Sequence, residues 1–283
     1  MVHGTPLSRP PPGPRGVFRP SAREEPTVAF MVMLLDLQDR DRSIRRLRDW
    51  AVAGAGVGPG LRVVDVGSGT GTMAQELASL VGPSGHVTAV EPNPALRGLA
   101  EERAAEAGSP AVFVDGLADA LPLADGSVDV VWCERVLQHL DDPQAAVREH
   151  ARVLAPGGCA VLLDSDHDTR VIAAVSPAVG RALNDAFLRG VTSPRVGRTI
   201  PELVVRAGLE LDPDVGAAVL VMPPATLRDA PFLQQMGAMA LADGSLTEAE
   251  LDAALAAMTV AADEGWAFSA VTIFGFLGRR PLA

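Results

Sequence analysis

The stretch Val63-Val64-Asp65-Val66-Gly67-Ser68-Gly69-Thr70-Gly71 constrains the fold more than any other part of the chain. A short apolar run ends in three glycines at alternate positions, and Thr72-Met73-Ala74-Gln75-Glu76-Leu77 then reads as a helix. Strand, tight turn and helix start together mark the place where an α/β sheet receives a nucleotide-like ligand. The glycines let the backbone turn sharply and approach that ligand without Cβ clashes. Dinucleotide folds space their glycines as G-x-G-x-x-G, but here the third arrives one residue early and Thr72 takes the expected position. Asp65, two residues before the first glycine, points the same way. A pyrophosphate seeks backbone N–H groups, whereas the ammonium and sulfonium of S-adenosylmethionine favour a nearby carboxylate.

With 283 residues, 48% of them hydrophobic, the chain can bury one large α/β core. No uncharged apolar run of about 18 residues exists, so no membrane span is expected. The start lacks a basic segment followed by an apolar one, which argues against secretion. The net charge of −11 repels phosphate backbones, and no basic cluster with interleaved aromatics offsets it, so nucleic acid is disfavoured as a partner. Cys133 and Cys159 fall at opposite ends of neighbouring strands, too far apart for a bond, and make no metal site. A reducing, cytoplasmic setting follows as the simple expectation.

Residues 1–26 hold seven prolines and read as an extended or flexible arm. Residues 27–60 read as two short helices closed by a glycine-rich break, with Phe30, Leu34, Leu37, Ile44, Leu47 and Trp50 as apolar faces. From 61 onward strands are expected at 62–67, 86–91, 111–115, 128–133 and 158–164, with helices at 72–81, 94–107 and 143–154 between them. This βα alternation implies a parallel sheet covered on both faces. Beyond Asp164 the rhythm changes to helices over 176–207, with Pro201 in a first turn. A strand follows at 209–221, then helices at 225–241 and 247–264, and a last strand at 268–278. Thr247 and Glu250 are spaced as a capping box.

In such a sheet the ligand lies outside the carboxyl ends of the strands. The residue after the second strand is Glu91, 20 residues past Gly71, and a carboxylate there can accept both hydroxyls of a ribose. Taken together, Asp65 to Gly71, Glu91, the run Ala118-Asp119-Ala120-Leu121-Pro122-Leu123-Ala124-Asp125-Gly126-Ser127 and Leu154-Ala155-Pro156-Gly157-Gly158 resemble the class I S-adenosylmethionine-dependent methyltransferases. The likeness is to the small-molecule branch around the ubiquinone and menaquinone C-methyltransferases and natural-product enzymes. It is strong over about 60–165 and weaker beyond.

The resemblance implies a doubly wound, Rossmann-like α/β fold with a seven-stranded, mostly parallel sheet and one antiparallel C-terminal strand. A helical cap is expected over about 170–208 and 222–265, within a methyltransferase domain of 61–283. It also implies S-adenosylmethionine as cofactor, held by Asp65, Gly67, Ser68, Gly69, Gly71, Glu91, Pro92, Leu117, Ala118, Glu134 and Arg135, with no metal. Leu117 stands where the family usually has an acid for the adenine amine, flanked by Asp115 and Asp119. The open readings are Leu117 packing on the ring, the Ala118 N–H meeting it, and Asp115, on the same side of a strand, substituting for the acid.

Among the candidate catalytic residues, His139 reads either as a general base or as a histidine bonded to nearby backbone. Asp166 and His167, in Asp164-Ser165-Asp166-His167-Asp168, read either as a base pair lining the acceptor pocket or as an acid-rich turn. Phe187, Met222, Phe232, Met236, Met239 and Trp266 suit an apolar or aromatic small-molecule substrate. The expected reaction is in-line methyl transfer to carbon, oxygen or nitrogen, in which the enzyme mainly aligns the partners. The competing readings are an NAD-dependent oxidoreductase and a non-catalytic scaffold that binds the same cofactor. A homodimer is compatible with all three.

Overall fold

A computed structural model describes residues 25–228 and 231–282. All of the proline-rich arm except Glu25 and Pro26 lies outside the described residues. The chain runs α1 (Glu25–Asp39), α2 (Arg42–Ala55), β1 (Arg62–Val66), α3 (Thr72–Val81), β2 (His86–Val90), α4 (Pro94–Ala107), β3 (Val112–Val114) and β4 (Val128–Glu134). It continues with a 3-10 turn at Leu137–His139, α5 (Pro143–Val153), β5 (Leu154–Ile172), α6 (Pro177–Gly190), α7 (Val196–Arg206), β6 (Glu210–Leu211) and β7 (Gly216–Met222). The last elements are α8 (Pro224–Arg228), α9 (Pro231–Ala242), α10 (Glu248–Asp263) and β8 (Ser269–Arg279).

Local signals set many of these boundaries. Asp41 caps α2 through Ser43 N and Ile44 N, at 2.7 and 3.2 Å. Asn93 followed by Pro94 opens α4, and Asp142 followed by Pro143 opens α5. The Thr247–Glu250 capping box forms as the sequence predicts.

Among the described residues the sheet has eight strands, ordered β3-β2-β1-β4-β5-β8-β6, with β7 also paired to β8. β1 to β5 are parallel and β8 alone runs against them. The expected seven strands become eight because 209–221 divides. Asp212 accepts from Asp214 N at 3.0 Å across Pro213, turning the chain between β6 and β7. Alternation sends side chains to two cores. Val64, Val66, Val131, Cys133, Ala160 and Leu162 meet α5 and α7, while Val63, Val130, Trp132, Cys159, Val161 and Leu163 meet α2 and α3. The two cysteines are buried and free.

A third cluster joins α6, α8, α9 and α10 through Leu183, Phe187, Leu227, Met236, Leu251 and Met258. Helix α7 does not belong to this cluster. Val196, Ile200 and Val204 seat that helix on the sheet, and Gly197 is pressed so close that a Cβ would stand 2.8 Å from the Asp164 carbonyl. Pro201 lies inside α7 rather than in its first turn, because this contact draws the helix start back to Val196. β5 also outruns its expected end at 164, since β8 pairs with it antiparallel as far as Ile172.

Candidate functional site

Strand order reverses between β1 and β4, and there a cavity of about 570 Å3 opens at their carboxyl ends. One side is the glycine turn. Gly67, Gly69 and Gly71 have φ of 68°, 56° and 78°, the left-handed region that favours glycine. A Cβ on Gly67 would stand 2.5 Å from Val136, and one on Gly71 would stand 2.9 Å from both Ala100 and Phe113. Gly67, Ser68 and Gly69 line the cavity, whereas Gly71 sits behind them at the N-cap of α3. Its role is packing rather than contact.

Two buried carboxylates face this turn. Asp65 is 3% exposed and its Oδ2 has no hydrogen-bond partner, while desolvation, reinforced by Glu134, raises its pKa to about 8. Glu91 accepts from Gly69 N and Asn93 N, both at 2.8 Å, and burial raises its pKa against those bonds. Each carboxylate oxygen keeps a further lone pair for a ligand hydroxyl. Pro92, Leu117 and Ala118 complete this end, with Leu117 itself exposed.

Asp115 does not substitute for the missing acid. The strand ends at Val114, and the Asp115 carboxylate points to solvent and pairs with Arg97 at 3.0 Å. Asp119 is the acid on the cavity wall at this end.

Glu134 and Arg135 also border the cavity, but their side chains face one another. Arg48 donates to both Glu134 oxygens, at 2.8 and 3.0 Å, and to Asp39 at 2.7 Å. Arg135 pairs with Glu134 at 3.0 Å. These coulombic partners pull Glu134 down against the desolvation that would raise it. The network ties α1 and α2 to the end of β4. Arg135 has φ 57°, a strained value for a non-glycine residue at the turn off β4.

Across the cavity lie His139, His167, Arg170, Phe187 and Phe232. Desolvation holds the His139 pKa down to about 4 and the His167 pKa to about 3, with Arg135 and Arg170 respectively adding to the effect. Both imidazoles are neutral at neutral pH. His167 Nε2 is 2.5 Å from Gln138 Oε1 and its Nδ1 is 3.3 Å from Arg170. Arginine can only donate, so Nδ1 accepts and Nε2 carries the proton toward Gln138.

The expected Asp166–His167 pair does not form. Successive residues of β5 point to opposite faces, so Ser165 and His167 reach the cavity while Asp166 turns away, fully buried, into an ion pair with Arg198. Asp166 is thus withdrawn from the candidate catalytic set. Asp164, on the same face as Asp166, accepts from Gln138 N at 3.2 Å and steadies the 3-10 turn that carries His139. Among the apolar candidates, Phe187, Met222 and Phe232 reach the cavity. Met236 is in the cap core, and Trp266 is 52% exposed on the surface.

Sequence reasoning missed Arg48 and Arg170 as cavity residues, while Met31, Leu34 and Gln38 of the N-terminal helix α1 close the cavity. Among the described residues no acid, histidine and cysteine group is arranged to hold a metal. No helix of the described residues is long and apolar enough to cross a membrane.

With this geometry in view, residues 64–162 match the family described as a methyltransferase domain. A 37.1 kDa uncharacterized protein in transposon Tn4556 of Streptomyces fradiae is 37% identical over 155 residues, which are 53% of this chain and 44% of that protein. The ubiquinone/menaquinone biosynthesis C-methyltransferase UbiE of Shewanella sediminis is 30% identical over 122 residues, covering 42% and 49%. The matches thus span about half the length of these relatives. A SAM-dependent methyltransferase from Aquifex aeolicus superposes with a TM-score of 0.55 at 16% identity, covering 89% of this chain and 98% of that one. The [4+2]-cyclase SpnF superposes at 0.53 with 21% identity, covering 84% and 81%.

Proposed function

Since the chain belongs, through its residues 64–162, to the class I S-adenosylmethionine-dependent methyltransferases, we propose that it methylates a small, apolar or aromatic metabolite by in-line displacement. The observation that carries this reading is the continuity of the cavity. A single space is bounded by Asp65, Gly67 and Glu91 at one end and by His167, Phe187 and Phe232 at the other.

The cofactor fits the first end. The unpartnered Asp65 Oδ2 suits its ammonium, the spare lone pairs of Glu91 suit the ribose hydroxyls, and the glycine turn leaves room that a Cβ would fill. When bound there, it supplies an electrophilic methyl group on a sulfonium. The chain's own part is to orient and to exclude water, and alignment of this kind contributes several kcal/mol to such a reaction.

The acceptor end supports a nucleophile that is already electron-rich. His139 and His167, at about 4 and 3, are weak bases, and both ring nitrogens of His167 are engaged. This favours a ring carbon, an enolate or an amine over an alcohol, in line with the C-methyltransferase name of the UbiE relatives. The NAD reading is disfavoured by Thr72 in place of the third glycine, and the scaffold reading by the open acceptor end of the cavity.

The test is isothermal titration of the full chain with S-adenosylmethionine and with NAD, followed by transfer of labelled methyl to aromatic acceptors. Binding of S-adenosylmethionine alone is expected. Failure to bind it would end the proposal.

A further inference from the structure

We infer that Arg170 is the anchor for a carboxylate on the acceptor, so that the substrate class is an apolar or aromatic acid. This deepens the methyl-transfer reading and rests on it. Arg170 lies on β5 well beyond Leu163, the residue level with Glu134 at the end of β4, and so belongs to the cap end of the cavity. Its guanidinium carbon stands 5.0 Å from the Phe187 ring centroid and 4.8 Å from that of Phe232, one ring from α6 and the other from α9. The rings are only 5.2 Å from each other, so both lie on one side of the cation, and neither offers a lone pair to its N–H edges.

Those edges are poorly supplied within the protein. Nε has no hydrogen-bond partner, and the one recorded polar contact is Nη2 to His167 Nδ1 at 3.3 Å. None of the recorded ion pairs of the described residues includes Arg170. Every acid on the cavity wall has other work or another place. Asp39 and Glu134 hold Arg48, Asp65 and Glu91 face the glycine turn, and Asp119 sits by Leu117. Burial pulls the Arg170 pKa down to about 10, still far above neutral, so the charge persists. A half-buried guanidinium without an ionic partner is costly to maintain, and a planar carboxylate offers the matching two-point partner. The cavity is therefore polarised, with acids at the end suited to a cationic cofactor and a cation at the end suited to an anionic acceptor.

The experiment uses the full chain saturated with S-adenosylhomocysteine, so that the cofactor's own carboxylate is already seated. The probes are matched pairs, 2-naphthoate with 2-naphthamide and 3-phenylpropanoate with 3-phenylpropanamide, titrated calorimetrically. Each acid is expected to bind about tenfold or more tightly than its amide. In Arg170→Met that preference disappears, while S-adenosylhomocysteine affinity stays within about twofold. Arg170→Lys keeps a reduced preference, since it retains the charge but loses the fork. Equal binding of acid and amide, binding of neither, or a preference that survives in Arg170→Met overturns the proposal. So does a tenfold loss of S-adenosylhomocysteine affinity in a variant with an unchanged circular dichroism melt, which assigns the arginine to the cofactor. Failure of the unmodified chain to bind S-adenosylhomocysteine instead strikes the methyl-transfer reading beneath it.

Discussion

The two ends of the cavity are built from different materials. The end at the glycine turn is made almost wholly of consecutive segments, 65–69 and 90–93, whose backbone geometry and two carboxylates do the positioning. The far end is assembled from side chains on β5, α6 and α9 that meet only after the cap has packed. The first end is therefore rigid by local geometry, and the second depends on long-range contacts that can change without disturbing the first. One sheet can thus keep a single cofactor while its acceptor varies.

The sharpest way to break this comparison is at the turn. Gly67→Val places a branched side chain at φ 68° and within 2.5 Å of Val136. S-adenosylhomocysteine affinity is expected to fall at least about 100-fold, with roughly 2–3 kcal/mol of stability lost. Calorimetry and urea unfolding measure the two effects, and near-normal affinity would falsify the view that backbone geometry makes this end.

Acidity separates the ends next. Asp65 keeps its proton to about pH 8 in the folded chain but loses it near 3.8 when unfolded, so the unliganded protein loses stability as pH rises through that window. Asp164, at about 7, adds in the same direction. His139, His150 and His167, at about 4, 4 and 3, act oppositely below 6.5, where the unfolded chain takes up protons that the folded one refuses. Urea midpoints are expected to fall between pH 6.5 and 8. S-adenosylhomocysteine affinity should rise about tenfold over the same interval as Asp65 ionises. A flat affinity profile would remove Asp65 from the cofactor site.

A smaller effect is expected at the acceptor end. His139→Ala should lower methyl transfer by less than about tenfold and leave cofactor affinity unchanged, because a base near pKa 4 contributes little. A drop of a thousandfold in kcat would show that His139 does the proton chemistry after all.

The smallest change serves as a control outside both ends. His150 is fully buried in α5, and neither ring nitrogen has a partner among the described residues. His150→Leu is expected to raise stability by about 1 kcal/mol in urea unfolding, with both binding affinities unaltered. Loss of stability would reveal a partner for the imidazole.

The difference between the ends also explains what could be read in advance. The glycine turn, Asp65 and Glu91 are legible because each signal lies within a few residues of the strand end it serves. The helices at Thr72–Val81 and Pro94–Ala107 are equally plain from their periodicity and caps. Asp166 misled because a catalytic reading of Asp166-His167 needs both side chains on one side, whereas β5 continues past 164 and sends them apart. Arg170 was invisible because its meaning lies in the absence of a nearby acid and in two phenylalanines from distant helices.

The sequence by itself determined the parallel sheet, its order of elements and the methyl donor, because hydrophobic period, turn glycines and strand-end carboxylates are local properties of the chain. Only the tertiary structure decided the splitting of the sixth strand, the seating of α7 on the sheet and the polarity of the acceptor end. Those depend on which side chains long-range packing brings together and on which charges it leaves without a partner.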